Sequence, residues 1–261
     1  MISVIIPVYN AEKFIYKAVR SVLCHSCVGE VLLIEDGSED NSIIYCRKIA
    51  SESRNVKLYI HPNNENRGAS ASRNLGIINS SFPYIAFLDA DDYFLPNRFE
   101  TFIKFVNEGI LFDGIYEAIQ YFNGSNKIYG IKKNIPPNKL THFLIRGTYG
   151  HFHTNGLIIK KEILLKAGLF VESLDLHQDS DLWIKISHYG NLVSGDIGRP
   201  VAMVRRHEGN RIWKGTNFRS MYKQIQVTWN WAKREDIGLI NKTLLFRKLI
   251  KYRVSLLFRN E

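Results

Sequence analysis

The sequence predicts an α/β fold: a mostly parallel sheet flanked by helices, followed by a C-terminal helical extension. Three observations predict it. Short runs rich in Val, Ile and Leu alternate with segments of helical periodicity from Ser3 to Leu88. The connections between them are short, which implies parallel strands with right-handed crossovers. Polar residues collect just after each apolar run, where open sheets of this type bind ligands.

The elements follow in order. Ser3 to Tyr9 reads as a buried strand, and Asn10 as the cap of a helix from Ala11 to Cys24. Glu30 to Glu35 is a second strand, and Asp40-Asn41 opens a helix to Ser51. Val56 to His61 is a third strand, Gly68 to Ile78 a helix, and Tyr84 to Leu88 a fourth strand. The polar groups at Tyr9-Asn10, Glu35 to Ser38, Asn66 to Gly68 and Asp89 to Asp92 should share one rim. The second half breaks the alternation. Asp113 to Phe122 reads as one strand with a hairpin turn at Asn123-Gly124-Ser125-Asn126. Asn155 to Lys160 is another strand, and Ser180 to Tyr189, Thr216 to Lys233 and Ile240 to Phe258 are helical. The simplest division is a catalytic domain over residues 1–215 and a basic, amphipathic helical extension over 216–261.

Bulk properties narrow the function. The chain has 261 residues and a net charge of +10, which favours anionic partners. No nucleic-acid motif accompanies that charge, so nucleic acid is not expected. No run of eighteen apolar residues occurs, and the start reads as a strand rather than a signal peptide. Cys24, Cys27 and Cys46 fit incidental thiols in a reducing cytoplasm.

Phe87-Leu88-Asp89-Ala90-Asp91-Asp92 carries the most chemistry. Alternate side chains of an extended chain share a side, so Asp89 and Asp91 can converge. Carboxylates at a buried strand end repel, and Mg²⁺ or Mn²⁺ offsets that repulsion while holding a diphosphate. A solvated Asp-rich turn is the plainer reading of this segment alone. Glu35-Asp36-Gly37-Ser38 offers a tight turn and a carboxylate for a base or ribose. Arg67 to Gly76 sets small residues on a helix, with Arg73 able to pair with a phosphate or a rim carboxylate. In Gln178-Asp179-Ser180-Asp181, an ionised carboxylate at a helix start can cap the helix or serve as general base. Arg205 to Arg211 is a basic loop with one imidazole, at His207.

Taken together and in order, these segments resemble family 2 glycosyltransferases of the GT-A, Rossmann-like fold, over most of residues 2–190. The resemblance implies an inverting transfer of a hexose or N-acetylhexosamine from a UDP-sugar. It implies a glycan or lipid-linked acceptor in cell-surface polysaccharide or lipopolysaccharide assembly. By resemblance, Pro7, Tyr9 and Asp36 line the nucleoside pocket, with Arg73 and Asp89 near the donor. Asp91, with Asp89 and His207, would hold Mn²⁺ or Mg²⁺, Asp179 would be the base, and Arg206 and Arg211 would close over the donor. Two departures stand out: Glu35 replaces the family's usual Asp, and Gln178 replaces its usual Glu. Two other functions compete. A sugar-nucleotide pyrophosphorylase needs a Gly-rich basic loop after the first strand, and Pro7 to Lys13 is not one. A non-catalytic scaffold or glycan-binding subunit would keep the fold without binding UDP.

Leu244 to Phe258 mixes an apolar with a basic surface. It suits peripheral contact with anionic lipid on the inner face of the cell membrane. Packing on the catalytic domain, or on a second copy in a homodimer, is the competing reading.

Overall fold

The computed structural model describes residues 1–122, 127–205 and 218–258. Its strands and helices, in chain order, are β1 (Ile2–Val8), α1 (Ile15–Leu23), β2 (Val28–Glu35), α2 (Ser42–Glu52), β3 (Val56–Ile60), α3 (Gly68–Asn79), β4 (Tyr84–Phe87) and β5 (Tyr93–Phe94). There follow α4 (Glu100–Asn107), β6 (Gly114–Tyr116), β7 (Ile119–Phe122), β8 (Ile128–Tyr129), α5 (Pro137–Arg146), β9 (Leu157–Lys160) and α6 (Lys161–Lys166). The chain continues through α7 (Gln178–Tyr189), β10 (Leu192–Ser194), β11 (Ala202–Arg205), α8 (Phe218–Ala232) and α9 (Leu239–Phe258).

A seven-stranded sheet runs β10-β6-β9-β4-β1-β2-β3. Strands β4, β1, β2 and β3 are parallel, as the crossover pattern predicts. Strand β9 runs antiparallel between β4 and β6. A smaller sheet, β5-β11-β7-β8, packs beside the first.

Alternation along β1 explains the layers. Val4, Ile6 and Val8 face one cluster together with Ile15, Ala18, Val19 and Val22 of α1. Those helix positions recur at the spacing of a single apolar stripe. Ile5 faces the other cluster, with Ile77 of α3, Leu144 of α5, Leu182 and Trp183 of α7, Ile225 of α8 and Leu245 of α9. The last two helices thus bury part of their surface on the α5 and α7 side. Asp181 fastens α8 to α7: its carboxylate takes Lys185 Nζ and, at 2.7 Å, the hydroxyl of Thr228 on α8. No helix among the described residues is long and apolar enough to cross a membrane.

Three local expectations are corrected. Asn10 does not cap a helix starting at Ala11; α1 begins at Ile15. The Ser42 hydroxyl and Asp40 carboxylate capture the amides of Ala11 and Glu12, while Asn10, at φ 48°, accepts from the Glu39 amide. Side chains of the turn after β2 therefore compete with the helix for its first donors. The segment Asp113 to Phe122 is two strands, because buried Glu117 between them pairs with Arg98 at 2.8 Å. The amide of Ala118 then turns to Asp196 O at 2.8 Å, sending β7 into the smaller sheet. At α7 the expected cap by Asp179 is absent: the helix starts at Gln178, preceded by His177 in the left-handed region. Strands β7 and β8 pair antiparallel, and the expected turn at 123–126 lies outside the described residues.

Candidate functional site

The carboxyl ends of β2 and β4 are joined by α3. At β2, Glu35 is fully buried and turns back on its own loop, accepting from the amides of Ser38 at 2.7 Å and Gly37 at 3.1 Å. The longer acid at this position therefore braces the turn. Gly37 sits at φ +70°, and a Cβ there would lie 2.7 Å from Asn66 N. Asp36 is buried, and its Oδ1 accepts from the amides of Arg67 at 2.7 Å and Gly68 at 3.1 Å, the residues that open α3. His61 Nε2 stands 3.5 Å from the same oxygen. Tyr9 is exposed and Pro7 partly so.

From the next turns of α3, Arg73 reaches β4. Its Nη2 donates to Asp89 Oδ1 at 2.6 Å. Burial raises the Asp89 carboxyl's affinity for a proton, but the charge of Arg73, then that of His153, and the Arg73 hydrogen bond outweigh it and hold the group below the usual carboxylate range. Asp92 behaves oppositely. It is buried, and burial together with the nearby charges of Asp91 and Asp89 pushes it well above that range. Its Oδ2 accepts from Asn155 Nδ2 at 2.6 Å and its Oδ1 from the Arg205 amide at 2.7 Å. Asp92 thus ties the turn to β9 and β11. The backbone carbonyl of Asp91 accepts from Arg205 Nε at 3.3 Å.

Beyond Asp89, on the side of β9, opens a cavity of about 460 Å³. Its walls include Arg73 and Asp89, His151 and His153 before β9, His177 and Asp179 at the start of α7, and Lys248 and Tyr252 of α9. Asp179 Oδ1 accepts from the Ser180 amide at 2.7 Å, in the first turn of α7. Burial lowers the pKa of His151, His153 and His177, more than the neighbouring carboxylates raise it. All three are therefore neutral at neutral pH.

Of the residues expected at the site, Arg73, Asp89 and Asp179 converge on this cavity. Asp36, Tyr9 and Pro7 lie on the other side of Arg73, along β1 and β2, and do not line it. Arg206, His207 and Arg211 lie outside the described residues. Among the described residues, no three His, Cys, Asp or Glu side chains form a group able to hold a metal ion. The donor set on hand is narrower than expected, since Asp89 already carries the Arg73 guanidinium. Asp91, at the same strand end, is a further carboxylate of the kind that binds hard cations.

Sequence reading missed Asn155, His151 and Lys248. Asn155 is fully buried and links the amide of Asp89 to the carboxylate of Asp92. Its signal is the antiparallel register of β4 and β9: extending the pair Ala86–Ile158 by three residues sets Asn155 opposite Asp89.

The mostly parallel sheet flanked by helices, with acids at its strand ends, is of the GT-A class of fold. TarS residues 1-349 of S. aureus, in complex with UDP-GlcNAc, share it: TM-score 0.77 and 18% identity over 97% of this chain and 72% of that one. Mannosyltransferase PcManGT from Pyrobaculum calidifontis, in complex with GDP-Man and Mn²⁺, does so at TM-score 0.61 and 17% identity, over 98% of this chain and 74% of that one.

Residues 3–168 match Glycosyl transferase family 2, and the chain belongs to that family. An uncharacterized glycosyltransferase of Rickettsia felis is 32% identical over 199 residues, covering 71% of this chain and 31% of that protein. The minor teichoic acid biosynthesis protein GgaA of Bacillus subtilis is 31% identical over 225 residues, covering 75% of this chain and 46% of that protein. The chain therefore spans less than half the length of these two relatives.

Proposed function

We propose that this chain transfers a hexose or N-acetylhexosamine from a UDP-sugar, with inversion, to a glycan or lipid-linked acceptor in the assembly of a cell-surface polymer. The observation that carries the proposal is the convergence of Arg73, Asp89 and Asp179 on one cavity next to the Asp36 rim. The complex of TarS with UDP-GlcNAc supports a UDP-sugar donor, and the name of GgaA supports a wall-polymer product.

Asp36, Tyr9 and Pro7 line the nucleoside end of the donor site. Arg73 holds Asp89 in place beside the donor sugar. Asp179 takes the proton from the acceptor hydroxyl as its oxygen attacks the anomeric carbon, and the bond to the nucleoside diphosphate breaks. A divalent cation, held by Asp91 and by His207, would stabilise charge on the departing diphosphate. The Mn²⁺ in the PcManGT complex and the position of His207, two residues beyond the Arg205 that binds Asp92, support that assignment. Arg206 and Arg211 would supply further positive charge to the donor diphosphate.

Residues 1–215 form the catalytic unit and 216–261 its helical extension, working on the cytoplasmic face of the membrane. The outward face of α9 supports peripheral attachment: Phe246, Ile250 and Val254 are exposed, flanked by exposed Arg247, Lys251 and Arg253.

The test is Asp179→Asn. Its turnover with a UDP-sugar should fall by about 10²–10⁴-fold, with UDP affinity kept. Full transfer by this variant would remove Asp179 from its role. Failure of the parent chain to bind UDP, with or without Mn²⁺, would favour a non-catalytic scaffold.

A further inference from the structure

The cavity wall opposite Asp89 comes from the C-terminal helices, and its chemistry is not neutral. Lys248 of α9 lines the cavity that Asp179 lines. Among the described residues it forms no ion pair. Arg73, the other cationic side chain of the lining, is already engaged by Asp89. Two further polar atoms point the same way: His151 Nδ1 and His177 Nε2 are buried without a hydrogen-bond partner. A buried polar atom left unpaired costs free energy, which a ligand group can recover. Burial, and then the charge of Lys251, makes the Lys248 ammonium easier to deprotonate, as expected of a partly buried cation lacking an anion. His151 feels both Asp179 and Lys248, so the three groups surround one space.

The sheet order separates this wall from the nucleoside end. Asp36 ends β2, two strands from β4 on one side; the cavity opens beside β9, on the other side of β4. The lining holds three carboxylates: Asp89, which Arg73 engages, Asp179 and, at the exposed margin, Asp175. An anionic ligand group would therefore meet its counter-charge at Lys248, with a hydroxyl left for Asp179.

We infer that Lys248, His151 and His177 form the acceptor subsite, and that the acceptor is a sugar or polyol bearing an anionic group, a phosphate ester or a carboxylate, near its reacting hydroxyl. This rests on the reading of Asp179 as the base. Lys248 supplies charge, and the two imidazoles supply one hydrogen bond each. α9 thereby selects the acceptor, while the family's shared motifs handle the donor.

The experiment measures binding, not transfer, so its failure is separable from that of the glycosyltransferase assignment. Glucose, glucose 6-phosphate and glucuronate are titrated by ligand-observed NMR into the full chain saturated with UDP. At least one of the two anionic sugars should bind about tenfold more tightly than glucose, and their comparison identifies the anion as phosphate or carboxylate. Lys248→Gln should abolish that preference and Lys248→Arg should restore it, with melting curves confirming that both fold. Equal binding of all three sugars, no binding of either anion, or a preference that survives Lys248→Gln would overturn the inference. So would a matching fall in UDP affinity in Lys248→Gln, which would assign the lysine to the donor diphosphate instead.

Discussion

Arg73 and Asp89 meet across 2.6 Å at the carboxyl end of β4, the arginine almost fully buried and the carboxylate half-buried. The first acid of the Asp-Ala-Asp-Asp cluster is thus neutralised by the protein itself. A second cation at Asp89 would have to displace or share with the guanidinium.

The two acids should therefore separate experimentally. In Asp91→Asn, the gain in UDP affinity on adding Mn²⁺ should shrink by about tenfold or more, whereas Asp89→Asn should retain most of it. Asp89→Asn should instead lose about 1–3 kcal/mol of stability, because it leaves buried Arg73 without its charged partner. Calorimetric titration with UDP, with and without Mn²⁺, gives the first result, and urea denaturation the second. Equal loss of the Mn²⁺ effect in both variants would contradict the division.

Asp92 and Asp89 predict pH dependences of opposite sign. The raised folded pKa of Asp92 means that the folded state holds a proton the unfolded chain has released. Its contribution is full below the ordinary carboxylate range and is lost as pH rises through the folded value. Asp89 is lowered, so its contribution is present above the ordinary range and is lost as pH falls through its folded value. Asp92→Asn should flatten the decline of stability from weakly acid toward neutral pH. Chemical denaturation at several pH values measures this; an unchanged slope would reject it.

The buried pair Arg98–Glu117 holds β6, β7 and β9 together. Both side chains are fully buried, and Arg98 Nη2 also donates to Leu157 O at 2.9 Å. Burial lowers the Arg98 pKa to about 10, against the opposing charge of Glu117. Arg98→Met should cost about 3–5 kcal/mol, because it strands a buried carboxylate. Arg98→Met combined with Glu117→Leu should recover much of that loss. A double variant no more stable than Arg98→Met alone would refute the pairwise account.

Gly37→Ala should destabilise the chain by roughly 1–3 kcal/mol, since the site needs φ +70° and a Cβ would press on the Asn66 amide. The displaced loop also carries the amides that hold Asp36, so UDP affinity should fall with stability. Melting and UDP titration check both. A variant as stable and as tight as the parent would show that the turn can relax.

Much of this was legible in the residues, for a local reason. Apolar runs ending in Glu35-Asp36 and in Asp89-Ala90-Asp91-Asp92 mark parallel strands with acids at their carboxyl ends, because strand burial and turn chemistry are written within a few residues. Asn10 failed as a cap for an equally physical reason. The donors it would have satisfied were taken by Asp40 and Ser42, some thirty residues away in sequence. The break at Glu117 was likewise invisible, since it depends on Arg98 arriving from another segment.

The sequence by itself determined the fold class, the family and the identity of the acids at the strand ends. These depend on periodicity and on short contiguous motifs. Only the tertiary structure decided which acid is neutralised by Arg73, that Asn155 bridges Asp89 and Asp92, and that α9 brings Lys248 to the cavity of Asp179. Each of these is a contact between side chains distant in sequence. Their energies come from burial and charge in a shared space, and that space does not exist until the sheet and the last two helices have packed.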